Sequence, residues 1–76
     1  MHLPPGRYKH FKGNYYQVIG VAKHSETEEP LVVYRSEKDN SLWVRPLAMF
    51  TEQVEVNNQL ISRFTYLGQD NLSEGI

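Results

Sequence analysis

Hydrophobic and polar residues alternate along much of the chain with the two-residue period of β-strands. No segment shows the 3.6-residue period of an amphipathic helix with comparable strength. The pattern therefore predicts an all-β domain built from three successive hairpins. The predicted strands cover residues 7–11, 15–24, 31–36, 42–46, 51–56 and 59–67.

The first hairpin turns at residues 13–14, a Gly-Asn pair in which both residues tolerate positive φ. This turn predicts that His10 lies opposite Tyr16 or Gln17. The second strand is long, and Gly20 in its middle predicts a bend or bulge. Its alternation does not decide which face of this strand is buried.

The second hairpin has a four-residue loop at 37–40, which places Tyr34 opposite Trp43. Arg45 then lies diagonally from Tyr34, within reach of a cation–π contact. The three side chains share one face of the hairpin, so we expect them to form a common patch.

The third hairpin turns at Asn57-Asn58 and pairs Val54 with Ile61 and Glu52 with Arg63. Both pairings are favourable, which supports this register.

Residues 46–50 are too few for a regular helix and predict one 3₁₀ turn. Long bent strands with a late 3₁₀ turn favour a small SH3-like barrel of five or six antiparallel strands, and a curved antiparallel meander is the alternative. We expect one domain over residues 1–67 and a flexible tail over 68–76, because the tail is polar and unpatterned.

Charge is distributed unevenly, although the formal net charge is only −1. Residues 1–24 carry four basic side chains and no acidic one (+4), whereas residues 25–76 carry four basic and nine acidic ones (−5). The basic residues of the first segment are Arg7, Lys9, Lys12 and Lys23. They are consistent with a phosphate-binding face or, more simply, with a solvated strand edge.

The chain contains no cysteine, its first residues lack the apolar run expected of a signal peptide, and no apolar run is long enough to cross a membrane. These features favour a cytoplasmic protein without a membrane partner. They leave the oligomeric state open.

Three stretches are distinctive in combination: residues 8–16 (YKHFKGNYY), 24–27 (HSET) and 42–50 (LWVRPLAMF). Together they resemble a bacterial family known only as domain of unknown function 1653. The resemblance covers roughly residues 6–67. It implies a bacterial cytoplasmic protein and brings no activity, cofactor or partner with it.

Metal binding and nucleophilic catalysis are both disfavoured. His10 and His24 lack a third close ligand, so the sequence predicts no metal site. His24, Ser25 and Glu26 are neighbours on a strand and point to alternating faces, so they cannot form a relay. The simpler interpretation is that His24 ends the strand and Ser25 and Thr27 cap the turn.

Aromatic side chains interleaved with cations are the strongest functional signal, because stacking platforms beside cations bind peptides and nucleotides. Structural use of most of these aromatics in a small core is the competing interpretation. The candidate ligand-binding residues are Tyr34, Trp43, Arg45, Tyr8, His10, Lys12 and His24. The sequence thus favours a non-enzymatic binding module without cofactor, for a peptide or, with weaker support, a nucleic acid. A small enzyme or ligand sensor centred on His10 or His24, at an oligomer interface, and a purely structural subunit are the alternatives.

Overall fold

The fold consists of seven β-strands and one helical turn, as described for residues 3–68 by a computed structural model. The elements are β1 (Gly6–His10), β2 (Tyr15–Lys23), β3 (Pro30–Ser36), β4 (Leu42–Pro46), α1 (Leu47–Phe50), β5 (Gln53–Val56), β6 (Gln59–Ser62) and β7 (Phe64–Gly68). The predicted all-β class is confirmed. The predicted tail lies, apart from its first residue, outside the described residues.

Two sheets are formed, and the ladders within them are antiparallel. Five strands make one sheet in the order β4-β3-β2-β1-β7, and β5 pairs with β6 in a separate hairpin. No ladder joins β4 to β7 within residues 3–68, so the large sheet has two free edges there. The SH3-like barrel therefore remains a prediction.

The β1–β2 turn differs from its predicted register. The amide of His10 donates to the carbonyl of Asn14 at 2.8 Å, and Tyr16 lies opposite Tyr8. The pairing of His10 with Tyr16 or Gln17 was therefore wrong. The turn spans three residues rather than two, because Gly13 adopts a φ of 109° that a side chain would strain.

A bulge interrupts β2 where Gly20 predicted one. Val18 lies opposite Tyr34, the register then shifts, and Val21 lies opposite Val32. The bulge adds one residue to β2, so residues 18 and 21 point to the same side of the sheet despite their odd spacing. Val18 is buried there, whereas Val21 is 39% exposed. Gly20 itself has free space around it, and the bulge rather than a close approach explains its position.

The β3–β4 hairpin has the predicted register. Tyr34 pairs with Trp43 and Val33 with Val44. Asn40 closes the four-residue loop in the left-handed region with a φ of 62°, which asparagine tolerates better than most residues.

The β5–β6 hairpin also has the predicted register and turns at Asn57 and Asn58, whose φ values of 53° and 65° match a type I′ turn. The single strand predicted over 59–67 was wrong, because the chain breaks at Arg63 into β6 and β7. The amide of Arg63 donates to the carbonyl of Glu52 at 3.0 Å, and the carbonyl of Arg63 accepts the amide of Phe11 at 2.9 Å. The next residue, Phe64, is buried in the core.

The residues after β4 form one α-helical turn rather than the predicted 3₁₀ turn. The amide of Thr51 donates to the carbonyl of Leu47 at 3.0 Å, which is an i→i−4 bond. This turn lies against β3 and β4 and buries Leu47 and Phe50. No helix among the described residues is long enough to span a bilayer.

The hydrophobic core lies between α1 and the inner face of the five-stranded sheet. Phe50 stacks on Phe64 with ring centroids 3.9 Å apart, and Tyr8 and Tyr34 meet Phe50 edge-on at 5.5 Å. The buried residues are Tyr8, Val18, Val32, Tyr34, Leu47, Phe50 and Phe64. Four of these seven side chains are aromatic, so a small number of residues fills the core.

Candidate functional site

A cleft of about 330 Å³ opens on the inner face of the sheet, beside edge strand β4. It is bounded by side chains of β2, β3, β4 and the loops that join them. The lining residues are Asn14, Tyr16, Tyr34, Ser36, Lys38, Asp39, Ser41, Trp43 and Arg45. The structure thus brings Tyr34, Trp43 and Arg45 of the predicted patch together around one depression.

Trp43 forms one wall of this cleft and is held in place although it is 54% exposed. Its indole Nε1 donates to the Ser41 hydroxyl at 2.7 Å, and that hydroxyl donates to the Asp39 carboxylate at 2.6 Å. The hydrogen bonds from Ser41 hold the pKa of Asp39 below its usual value. The loop therefore orients the exposed indole before any ligand arrives.

Arg45 is one of the two cationic residues that line the cleft, with Lys38. Its Nε donates to the hydroxyl of Tyr34 at 3.4 Å, and its guanidinium lies 5.7 Å from the ring centroid of Phe64. The predicted proximity of Arg45 to Tyr34 is thus a hydrogen bond, and the cation–π contact is made with Phe64 instead. The Nη atoms of Arg45 have no hydrogen-bond partner within residues 3–68, so they remain available as donors.

The floor of the cleft is continuous with the core. Tyr16 meets Tyr34 edge-on at 5.3 Å and Phe64 at 5.7 Å. Tyr34 is only 5% exposed, so it serves the core as well as the cleft. Trp43 is therefore exposed at the cleft, whereas Tyr34 belongs to the core and also lines the cleft.

His10 lies behind this floor, in contact with aromatic rings. Its ring centroid is 4.9 Å from that of Phe64, and its Nδ1 accepts the amide of Lys12 at 3.1 Å. Burial, followed by the positive charges of Arg45, Arg63 and Lys12, lowers the pKa of His10 below the usual 6.5. The ring is thus kept neutral near pH 7.

The lowered pKa of His10 predicts that the domain loses stability as pH falls below 6.5. The unfolded chain binds a proton on this histidine more readily than the folded one, so acid favours unfolding. We expect His10→Gln to flatten the dependence of the urea midpoint on pH between 5 and 7. The carboxyl of Glu37, whose pKa is lowered chiefly by its hydrogen bond to Arg7, acts below its usual 4.5, outside this window. An equal slope in both proteins would contradict the assignment to His10.

The remaining candidates lie elsewhere. Tyr8 is 3% exposed in the core, where its hydroxyl donates to the carbonyl of Pro4 at 2.7 Å and burial raises its pKa to about 12. The structure therefore places Tyr8 in the core, and it does not line the cleft. His24 accepts the amides of Glu26 and Thr27 through Nδ1 and so caps the β2–β3 turn. His24 does not line the cleft, and its part in a ligand site stays a prediction.

Lys12 is exposed in the β1–β2 turn, with its Nζ 5.8 Å from the ring centroid of Phe11, and it does not line the cleft. The polar residues of the cleft were not predicted from the sequence; they include Ser36, Asp39 and Ser41. Their only signal was a location beside the loop that positions Trp43.

The four basic residues of the first segment do not all lie together, although Arg7 and Lys9 both contact the ring of Tyr15, at 4.1 Å and 5.8 Å from its centroid. Arg7 makes a bidentate ion pair with Glu37, with both N–O distances at 2.9 Å. Lys9 lies opposite Tyr15 at one end of β2, whereas Lys23 lies eight residues further along that strand, about 26 Å if the strand were straight. No group of three potential metal ligands occurs within residues 3–68.

Comparison with known proteins identifies one family. The family described as a protein of unknown function (DUF1653) matches residues 6–66 of the chain. A DUF1653 protein from Bordetella bronchiseptica, known from its crystal structure, is 31% identical to this chain, with a TM-score of 0.82. The similarity covers 93% of this chain and 95% of that one. No curated protein matches the chain.

Proposed function

Because the chain belongs to the DUF1653 family, whose function is unknown, we propose a function from the cleft itself: a non-enzymatic module that binds a peptide segment of another protein. The observation that carries this proposal is the exposed indole of Trp43, fixed by Ser41 beside a guanidinium with free donors. Ordered aromatic and arginine side chains at a concave surface are typical anchors of protein interfaces.

Peptide is favoured over nucleic acid by the charges around the cleft. Arg45 and Lys38 are its cations, and Asp39 offsets one of them. Nucleic-acid binding generally draws on several phosphate contacts from Lys and Arg. Of the basic residues outside the cleft that could contact phosphates, Arg7 is ion-paired with Glu37 and Lys23 lies at the far end of β2.

A catalytic role has less support from the same geometry. His10 has its Nδ1 occupied by a backbone amide and its ring packed against Phe64 and Tyr16. His24 is engaged with a turn. Neither histidine makes a hydrogen bond to a serine or carboxylate side chain among the described residues, which a nucleophile–base pair would require.

We further propose that the module acts in the bacterial cytoplasm. Peptide binding at the cleft does not require closure of the sheet into an SH3-like barrel. The cleft is formed by β2, β3 and β4, which are neighbours in the open sheet.

Trp43→Ala tests the proposal against peptides selected from a displayed random library. We expect selected peptides to bind the unchanged protein and to lose about tenfold or more in affinity on Trp43→Ala, because exposed tryptophans are frequent hot spots. The unfolding free energy should change by less than about 1 kcal/mol, because the side chain is largely exposed. Affinity follows from titrations of labelled peptide, and stability from urea unfolding.

Leu60→Ala is the matched control, because Leu60 is 67% exposed on β6, outside the cleft. We expect it to leave affinity unchanged. Selection of no peptide, or of peptides that bind equally to Trp43→Ala, would remove the proposed function. Salt-sensitive binding of single-stranded DNA instead would favour the nucleic-acid alternative.

A further inference from the structure

The edge strand β4 presents an unpaired backbone next to the cleft. β4 is the terminal strand of the five-stranded sheet. Its residues Leu42, Trp43 and Val44 are 64%, 54% and 60% exposed, so neither a helix nor a loop of residues 3–68 covers this edge. Such an edge can accept a further strand.

The ladder between β3 and β4 identifies which backbone groups are free. The amide of Ser36 donates to the carbonyl of Ser41, so these two residues form a hydrogen-bonded pair. Because hydrogen-bonded and non-hydrogen-bonded pairs alternate along an antiparallel ladder, Trp43 and Arg45 direct their backbone groups at β3. Leu42 and Val44 therefore direct their amides and carbonyls outward.

Side chains alternate along β4 in the same way. Trp43 and Arg45 point to the inner face and line the cleft, whereas Leu42 and Val44 lie on the outer face. A strand added beside β4 would place every second side chain in the cleft. Its intervening side chains would pack against Leu42 and Val44.

We propose that β4 binds an extended peptide segment of a partner protein by β-strand addition, which deepens and rests on the proposed peptide-binding function. The segment carries apolar β-branched residues opposite Leu42 and Val44, because those exposed side chains offer an apolar outer face. It carries an acidic residue opposite Arg45, whose Nη donors have no partner within residues 3–68. This charge complementarity distinguishes the segment from a purely apolar one.

A partner peptide fits this edge better than a second copy of the chain. The outward-facing run is short, because Pro46 ends the strand and has no amide to donate. A stable dimer buries about 800 Å² on each partner, and three partly exposed side chains present well under that area.

Backbone methylation of the selected peptides tests the mode of binding. We expect N-methylation to weaken binding about tenfold or more at alternate positions and to have little effect between them, because only every second peptide amide faces β4. Replacement of the acidic residue by its amide should weaken binding to the unchanged protein. The same replacement should have little effect on Arg45→Ala, since the charged partner is already absent.

Val44→Pro tests the protein side, because it removes an outward amide that makes no bond to β3. We expect it to weaken peptide binding about tenfold, whereas Val44→Thr, which keeps the amide and the β-branch, binds almost normally. If Val44→Pro does not fold, as judged by circular dichroism, the methylated peptides alone decide.

The outcomes separate this inference from the function on which it rests. Trp43-dependent peptide binding without an alternating methylation pattern would overturn strand addition and leave the peptide-binding function intact. A lack of Trp43-dependent binding would overturn both. Dimers of the unchanged chain that Val44→Pro converts to monomers would make a second copy the occupant and overturn the choice of a peptide.

Discussion

Phe50→Ala is expected to unfold the domain or to remove about 3–5 kcal/mol of its stability. Phe50 is 1% exposed, and its ring stacks on Phe64 with a centroid distance of 3.9 Å. Tyr8 and Tyr34 close around the same ring, so truncation leaves a cavity bounded by three aromatic side chains. A protein of 76 residues has a total stability of about 4–11 kcal/mol, so this loss is a large fraction. Urea unfolding followed by circular dichroism measures it.

Met49→Ala is the control for this prediction, because Met49 precedes Phe50 in α1 but is 46% exposed. We expect a change below about 1 kcal/mol. Similar losses in the two variants would show that α1 is sensitive to any truncation and that the stacked pair is not the source of the stability.

Gly6→Ala is expected to cost at least about 2 kcal/mol, through strain rather than a cavity. Gly6 adopts a φ of 135°, and a Cβ atom there would lie 2.6 Å from the carbonyl oxygen of Gly68 and 3.2 Å from the ring of Tyr66. The backbone of β7 must therefore move away from β1, where its ladder already has an irregular register.

Gly20→Ala provides the comparison, because a Cβ atom at Gly20 has no neighbour within 4 Å and its φ lies outside the strained region. We expect this change to be nearly neutral or slightly stabilising, since alanine restricts the unfolded chain. A loss at Gly20 equal to that at Gly6 would contradict the close approach of β1 and β7. Thermal unfolding of both variants makes the comparison.

Local turn chemistry explains which parts of the fold could be predicted. Asn57 and Asn58 tolerate positive φ, and the four-residue loop sets Tyr34 against Trp43, so two hairpin registers follow from a few neighbouring residues. The buried face of β2 could not be predicted, because the bulge before Gly20 changes the phase of its alternation. The strand order could not be predicted either, because pairing of β1 with β7 depends on no local signal.

The candidate site was predictable to a similar extent. Tyr34, Trp43 and Arg45 belong to one hairpin, so strand alternation alone places them on one face. Tyr8, one of the predicted ligand-binding residues, is buried in the core. This could not be predicted, because an isolated tyrosine in a half-buried strand carries no sign of which face it occupies. The contribution of Tyr16 to the floor depends on the β2–β3 ladder, which local turn chemistry does not determine.

The position of β1 between β2 and β7 has a consequence for the order of folding. β1 joins β2 through a three-residue turn, whereas its ladder with β7 brings residues 7 and 68 together. Closure of so long a loop costs more chain entropy than closure of a hairpin, so β7 should dock after the folding transition state. Mutations in the β1–β7 ladder would then accelerate unfolding and barely slow refolding. The lifetime of the native state would depend on this last contact, whereas the speed of folding would depend on the hairpins.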